Sequence, residues 1–195
     1  IASTDPECGG GTYTVNSDTT LGNVKIECDF EVRKQGPTPT LTVDGPIWVE
    51  GDLRIVGGPV IEIDSSLNEY SAQFIVDDES NRTTSSQIEI RNSTDFFGSG
   101  DPRSYVLLLS MNESASLGGG EIAVEVAQQA NGQVVMYAAD GLIETNNGIN
   151  LVAAVAYEVD IAQSSTITYD ATVSSLLFPP TGAPQYIIQD WEQVE

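Results

Sequence analysis

The sequence predicts an all-β chain: a parallel β-solenoid (β-helix) with short rungs of about 17 residues and an N-terminal β cap or arm, with a β-sandwich as the alternative. Three observations carry that reading. Short apolar alternations, bounded by Gly, Asn, Asp or Ser, recur along most of the chain. β-Branched residues dominate them, as suits a pleated, half-buried surface. Late in the chain a spacing repeats: Asn131-Gly132 and Asn147-Gly148 lie 16 positions apart, each followed by an apolar strand and then a second short one.

Residues 1–40 are heavily punctuated, by Gly9-Gly10-Gly11, Asn16, Asp18, Asn23 and Gly36-Pro37-Thr38-Pro39. Between these, Val24-Lys25-Ile26-Glu27-Cys28 and Phe30-Glu31-Val32 alternate like strands, so this stretch reads as the arm or cap. Residues 41–195 read as the solenoid domain. Its strands are Leu41-Thr42-Val43, Ile47-Trp48-Val49, Leu53-Arg54-Ile55, residues 60–63, Phe74-Ile75-Val76 and Ile88-Glu89-Ile90. Residues 106–109, 122–126, 134–137, Leu142-Ile143, Val159-Asp160-Ile161 and Ile167-Thr168-Tyr169 continue the series. Leu151, Val152, Val155, Ala156 and Val159 also recur at helical spacing, but the strict alternation of residues 157–161 favours two strands joined by a corner. The segment from Phe178-Pro179-Pro180 to Glu195 reads as a C-terminal cap, because bare strand edges at a solenoid end would polymerise. A sandwich would need longer strands and hairpin turns; Asn-Gly pairs make such turns, which keeps it as the alternative.

Charge removes several functions. There are 29 acidic residues against 7 basic ones, a formal net charge of −22, so nucleic acid and anionic membrane are excluded as partners. The acids are spread evenly, 18 in residues 1–103 and 11 in residues 104–195, while every base lies at or before Arg103. Such a spread reads as a solvated acidic skin or an adaptation to high salt. Histidine is absent, which removes Ser-His-Asp and Cys-His catalysis and His-ligated zinc. No apolar run reaches the ~18 residues of a membrane span, so no membrane insertion by this segment is expected, and any export signal or anchor is expected outside it. Lyase chemistry on an acidic polymer needs a basic proton acceptor, and the second half of the chain has none. The expectation is a protein that is not an enzyme.

Cys8 and Cys28 are the two cysteines. They cannot complete a four-thiolate zinc site, so a disulfide is expected, with an oxidising, extracellular or cell-surface setting. Sequons at Asn81, Asn92 and Asn112 fit a surface protein. Asp77-Asp78-Glu79-Ser80-Asn81 is the densest oxygen-ligand run, which makes Asp77, Asp78 and Glu79 the calcium candidates, although the Asp-x-Asp-x-Asp-Gly order is missing and a solvated turn explains them as well. No other cofactor is expected. Phe96 and Phe97 are contact candidates, since two adjacent aromatics on a strand cannot both point inward. Trp48, Trp191, Tyr70, Tyr105, Tyr137, Tyr157, Tyr169 and Tyr186 offer a sugar-stacking face or, equally, core ladders and cap packing.

The run from Ile47 to Ile55 resembles the V-x-G-x-L-x-I rungs of bacterial surface β-solenoids. Three further features resemble the C-terminal domain of bacterial type IV pilus-assembly proteins of the PilX-like minor pilin group. They are Val134-Val135-Met136-Tyr137-Ala138-Ala139-Asp140-Gly141-Leu142-Ile143, Ile167-Thr168-Tyr169-Asp170, and the ending Trp191-Glu192-Gln193-Val194-Glu195. The resemblance spans residues 41–195 and implies a non-enzymatic extracellular structural or adhesive domain, associated with a pilus or surface filament. Other surface or pilus subunits are the expected partners, with a homopolymer of this chain and glycans as further candidates. A carbohydrate-binding or carbohydrate-processing β-helix module is the alternative.

Overall fold

Runs of three to five alternating residues are too short to bury themselves as isolated hairpins, but stacking each on the next buries one side of all of them. A computed structural model has this arrangement and describes residues 8, 11–146, 149–162, 165–168 and 171–176. β1 (Thr12–Val15), β2 (Thr19–Leu21) and β3 (Val24–Ile26) lie one on each face of a three-faced coil. The circuit repeats with β4 (Asp29–Arg33), β5 (Thr40–Val43) and β6 (Ile47–Val49), then with β7 (Leu53–Val56), β8 (Val60–Ile63) and β9 (Ala72–Val76). β10 (Ile88–Arg91), β11 (Thr94–Phe97) and β12 (Val106–Ser110) follow, and β13 (Ile122–Val126) and β14 (Ala130–Gly132) open the next circuit. β15 (Val134–Thr145) runs from the third face onto the first without a break; after β16 (Asn150–Leu151), β17 (Ala153–Ile161) does the same, and β18 (Thr166–Ile167) ends the second face.

Every described strand pairing is parallel. The fold is therefore a parallel β-solenoid, and the antiparallel sandwich is set aside. Asn150–Leu151 and Ala153–Ile161 are strands joined at a bend on Val152, and Ala154 and Ala156 face inward over Met136 and Ala138. The ambiguous Ala-rich run thus reflects small residues stacked in a ladder rather than a helix.

Two expectations are corrected. The rung is about 17 residues only at the two ends: Thr12 pairs with Asp29, and Ile143 with Val159, 17 and 16 positions on. In the middle, Leu53 pairs with Ile88 and Ile88 with Val124, 35 and 36 positions on. Loops 64–71, 77–87, 98–105 and 111–121 take up the difference, leaving the sheets at corners that flank the third face. These loops also stack. Ser104 Oγ donates to Tyr70 O at 2.8 Å, and Asn112 Nδ2 donates to Ser85 O at 2.8 Å. The second correction is the boundary near residue 40. β1 bonds to β4 and β4 to β7, so residues from Thr12 onward belong to the same sheets as those after residue 41. Gly36, Pro37 and Pro39 mark a longer corner between β4 and β5, not a junction between an arm and a domain. The expected cap from about residue 178 lies outside the described residues.

The core is a set of inward ladders. One runs Tyr13, Phe30, Leu53, Ile88, Val124, Ile143 and Val159; beside it run Val15, Val32, Ile55, Ile90, Val126, Thr145 and Ile161. From Phe30 to Ile143 every member of the first ladder is essentially buried, and each such side chain contributes about 1.5–3 kcal/mol of burial. Phe30 stacks on Tyr13 at 5.6 Å and on Phe74 of the third face at 6.5 Å, locking two faces together near the N-terminal end. Cys8 and Cys28 form the expected disulfide. Among the described residues no helix is long and apolar enough to cross a membrane.

Candidate interaction surfaces

Because strand side chains alternate and the coils are in register, each outward position becomes a row running the length of the solenoid. The three faces carry different chemistry.

On the first face the row is Thr14, Glu31, Arg54, Glu89, Glu125, Glu144 and Asp160. Like charges directly opposite one another destabilise a sheet, and Arg54 separates two of them. Its Nε donates to Glu89 Oε2 at 2.7 Å, and its Nη1 lies 3.5 Å from Glu31 Oε2. Arg91 pairs with Glu89 and stands 3.7 Å from Glu125. No base follows Arg103, so Glu144 and Asp160 stack without a cation between them. Beside this row a shallow groove of about 310 Å³ is lined by Asp52, Gln87, Glu121 and Glu125. Asp52 accepts hydrogen bonds from Gln87 N at 3.0 Å and Ser85 Oγ at 3.1 Å. Burial nevertheless pushes its carboxyl above the usual carboxylate range, aided by the nearby charges of Asp29 and Asp78.

The second face is polar. One row runs Thr20, Thr42, Glu62 and Phe97, another Val60, Asp95, Asn131, Asn150 and Thr166. Phe96 and Phe97 point to opposite sides, as alternation requires. Phe96 is fully buried, in register with Gly132, where a φ of +114° and the Phe96 carbonyl leave no room for a side chain. Phe97 is 49 % exposed beside Glu62.

The third face is apolar. Trp48, Ile75, Leu109, Tyr137 and Val155 form one outward row in register. Gln73, Leu107, Val135 and Ala153 form the next. Leu107, Val135 and Ala153 are buried because Val173 and Leu176, on and just after the 3-10 turn Ala171–Ser175, pack over them together with Tyr105. The Tyr105 hydroxyl is hydrogen-bonded to Thr172 Oγ1. The first row is more open, with Tyr137 38 % and Val155 52 % exposed and Trp48, Ile75 and Leu109 half-buried.

Asp77, Asp78 and Glu79 do not converge on one point. Asp77 is buried and held bidentately by Arg82, Nε to Oδ1 at 2.7 Å and Nη2 to Oδ2 at 2.9 Å. Asp78 instead accepts from Ser80 N at 3.1 Å and Asn81 Nδ2 at 3.0 Å, closing its own turn. Among the described residues no three acidic or cysteine side chains are grouped to hold a metal ion. The aromatics do not form one sugar platform either. Tyr105 is buried, Trp48 and Tyr137 are separated by Ile75 and Leu109, and Tyr157 stands exposed at a corner. Trp191, Tyr169 and Tyr186 lie outside the described residues.

Two features escaped sequence reasoning. Asn112 is fully buried, its Oδ1 accepting from Ser114 N at 3.0 Å, so its sequon is closed to glycosylation in the folded chain, whereas Asn81 and Asn92 are exposed. A sequon tripeptide carries no signal for this. The apolar third face did leave one: residues 105–109 are apolar without alternation, the mark of a parallel strand covered on both sides. No protein-family model, curated protein or solved structure matches the chain.

Proposed function

We propose that this chain is a non-enzymatic structural or adhesive domain of an extracellular surface filament, pilus-associated as its motifs suggest, and that the open row of its third face contacts neighbouring filament subunits. The row Trp48, Ile75, Leu109, Tyr137 and Val155 carries this reading. An outward apolar stripe rimmed by polar surface is what a protein contact uses. Five strands at about 4.8 Å spacing make a stripe roughly 20 Å long and one side chain wide. That is far below the ~800 Å² per partner of a stable dimer face. It suits a single apolar segment of an adjacent subunit. The acidic first face and polar second face disfavour contact between copies elsewhere on the surface. The disulfide is compatible with secretion, since such bonds persist in oxidising compartments.

Immunogold electron microscopy of cells producing the protein tests this. Label along surface filaments is expected, and Tyr137→Glu with Val155→Glu, the two exposed members of the row, should strip it while leaving thermal stability within a few degrees. Label elsewhere, or filament label indifferent to both substitutions, contradicts the reading. Binding on a glycan array in calcium, without filament label, would favour the carbohydrate module instead.

A further inference from the structure

Loops 64–71 and 98–105 leave the paired strands β8 and β11, and with the second face they enclose an open cavity of about 480 Å³. Thr20, Thr42 and Glu62 line it from the outward row, and Asp64, Ser65 and Ser99 line it from the two loops. Phe97 follows Glu62 in the same row and immediately precedes Gly98 of the cavity wall, so its exposed ring stands at the rim. The walls are fixed by their own hydrogen bonds. Ser99 Oγ donates to Asn68 O and ties the two loops together, Gly98 N donates to Gln133 Oε1 at 3.0 Å, and Ser99 N donates to Ser104 Oγ at 3.1 Å. A Cβ at Gly98 would collide with the Ser104 carbonyl, so the wall is bare backbone at that point.

Charge selects the ligand. No Lys or Arg lines the cavity, and among the described residues neither Glu62 nor Asp64 joins an ion pair, whereas Glu31 and Glu89 of the first face are paired with arginines. Glu62 Oε1 accepts from Thr42 Oγ1 at 3.1 Å. Asp64 Oδ1 accepts from Ser66 N at 2.8 Å, and the side-chain and backbone hydrogen bonds of Ser66 hold the Asp64 carboxyl below the usual carboxylate range. An anion is repelled here, and a neutral ligand covering two carboxylates would leave their desolvation uncompensated. Calcium takes about six to eight oxygens, several from carboxylates, and among the described residues no three acidic side chains are grouped to hold a metal ion. An organic cation satisfies every wall: carboxylates and hydroxyls accept its N–H groups, and the ring face of Phe97 attracts its charge. We propose that this cavity binds an alkylammonium group, of a lysine side chain or of a free polyamine, paired with Glu62 and Asp64 and lying against Phe97.

The test is a nuclear magnetic resonance titration of the isotope-labelled chain with spermidine and, separately, Nα-acetyl-lysine methylamide. Salt is held at about 150 mM, where exposed charges more than about 8 Å apart are largely screened. Amide shifts confined to Thr20, Thr42, residues 62–65 and residues 98–100 are expected. Phe97→Leu, which keeps the net charge, and Glu62→Gln should each weaken binding about two- to fivefold. Glu144→Gln, which removes one charge from the first face, should leave it unchanged. Shifts with the lysine amide assign the site to a protein partner's side chain, and shifts with spermidine alone assign it to a free polyamine. The proposal is overturned by the absence of localised shifts with either amine, by affinity indifferent to Phe97→Leu, by an equal loss from Glu144→Gln, or by the same shifts with calcium or glucose at equal concentration.

Discussion

Leu108 and Leu109 are neighbours on β12, and the fold assigns them opposite fates. Leu108 is fully buried in the core, in register between Phe74 and Met136. Leu108→Ala deletes three carbons, about 2.4 kcal/mol of transfer free energy at ~0.8 kcal/mol each. The void adds to this, because Phe74 and Met136 sit on hydrogen-bonded strands and cannot fully collapse into it. A total of about 3–4 kcal/mol follows, within the usual range for buried Leu→Ala. Leu109 is on the outer side, half-buried against the cluster that Val173 and Leu176 cover, and Leu109→Ala should cost about 1 kcal/mol. At about 2–4 °C per kcal/mol for a chain of this size, the melting temperatures should fall by roughly 6–16 °C and 2–4 °C. Urea unfolding followed by circular dichroism measures both costs, provided the m-value is unchanged. Equal losses, or the larger loss at Leu109, would mean that the strand faces the other way and that the inward ladders are misassigned.

Three further outcomes are expected. Thr94 is fully buried over Ala130 with its Oγ1 unpartnered among the described residues, so Thr94→Val should raise stability by about 1 kcal/mol; a loss of that size would reveal a hidden partner. The Asp52 carboxyl is raised above its ordinary value of about 3.9, so the fold favours its protonated form and loses stability as pH rises through and above that value. The melting temperature of Asp52→Asn should therefore gain on the parent between pH 3 and 7, and a shrinking gap would contradict the burial. Cys8→Ser with Cys28→Ser opens a loop of about 20 residues and should cost about 3 kcal/mol. Exchange should speed up most in residues 12–33 and fade coil by coil, since each coil touches only its neighbours; uniform acceleration would speak against that local coupling.

Much of the architecture was legible because each strand writes its own alternation. Ile88-Glu89-Ile90 and Ile61-Glu62-Ile63 place their apolar members inward as read, while Val60 faces out. The coil length was legible only where corners are tight, as between Ile143 and Val159, 16 positions on, although Asn131 pairs with Asn150 and not with Asn147. Loops 77–87 and 111–121 carry no side chains of the ladder, so their length is free and the period vanishes through them. The false boundary near residue 40 has a similar cause: a Pro-rich corner and a Pro-rich linker look alike, and only the pairing of β4 with β7 tells them apart. For the surfaces, an acidic skin and one outward-facing member of the pair Phe96 and Phe97 were visible in the sequence. The row Trp48, Ile75, Leu109, Tyr137 and Val155 was not, because its members come from coils of unequal length and meet only through register.

The strands from Thr12 to Ile161 form one continuous stack, and a single distance tests it. Thr14 and Asp160 are both exposed on the outward row of the first face, with Glu31, Arg54, Glu89, Glu125 and Glu144 between them. Six strand spacings of about 4.8 Å place them roughly 29 Å apart. Double electron–electron resonance between spin labels on Thr14→Cys and Asp160→Cys should give one narrow distribution near that distance, broadened by a few ångströms for the label arms. A broad distribution would mean an N-terminal arm moving independently of the solenoid, and a narrow one displaced by 10 Å or more would mean that these coils do not stack in this order.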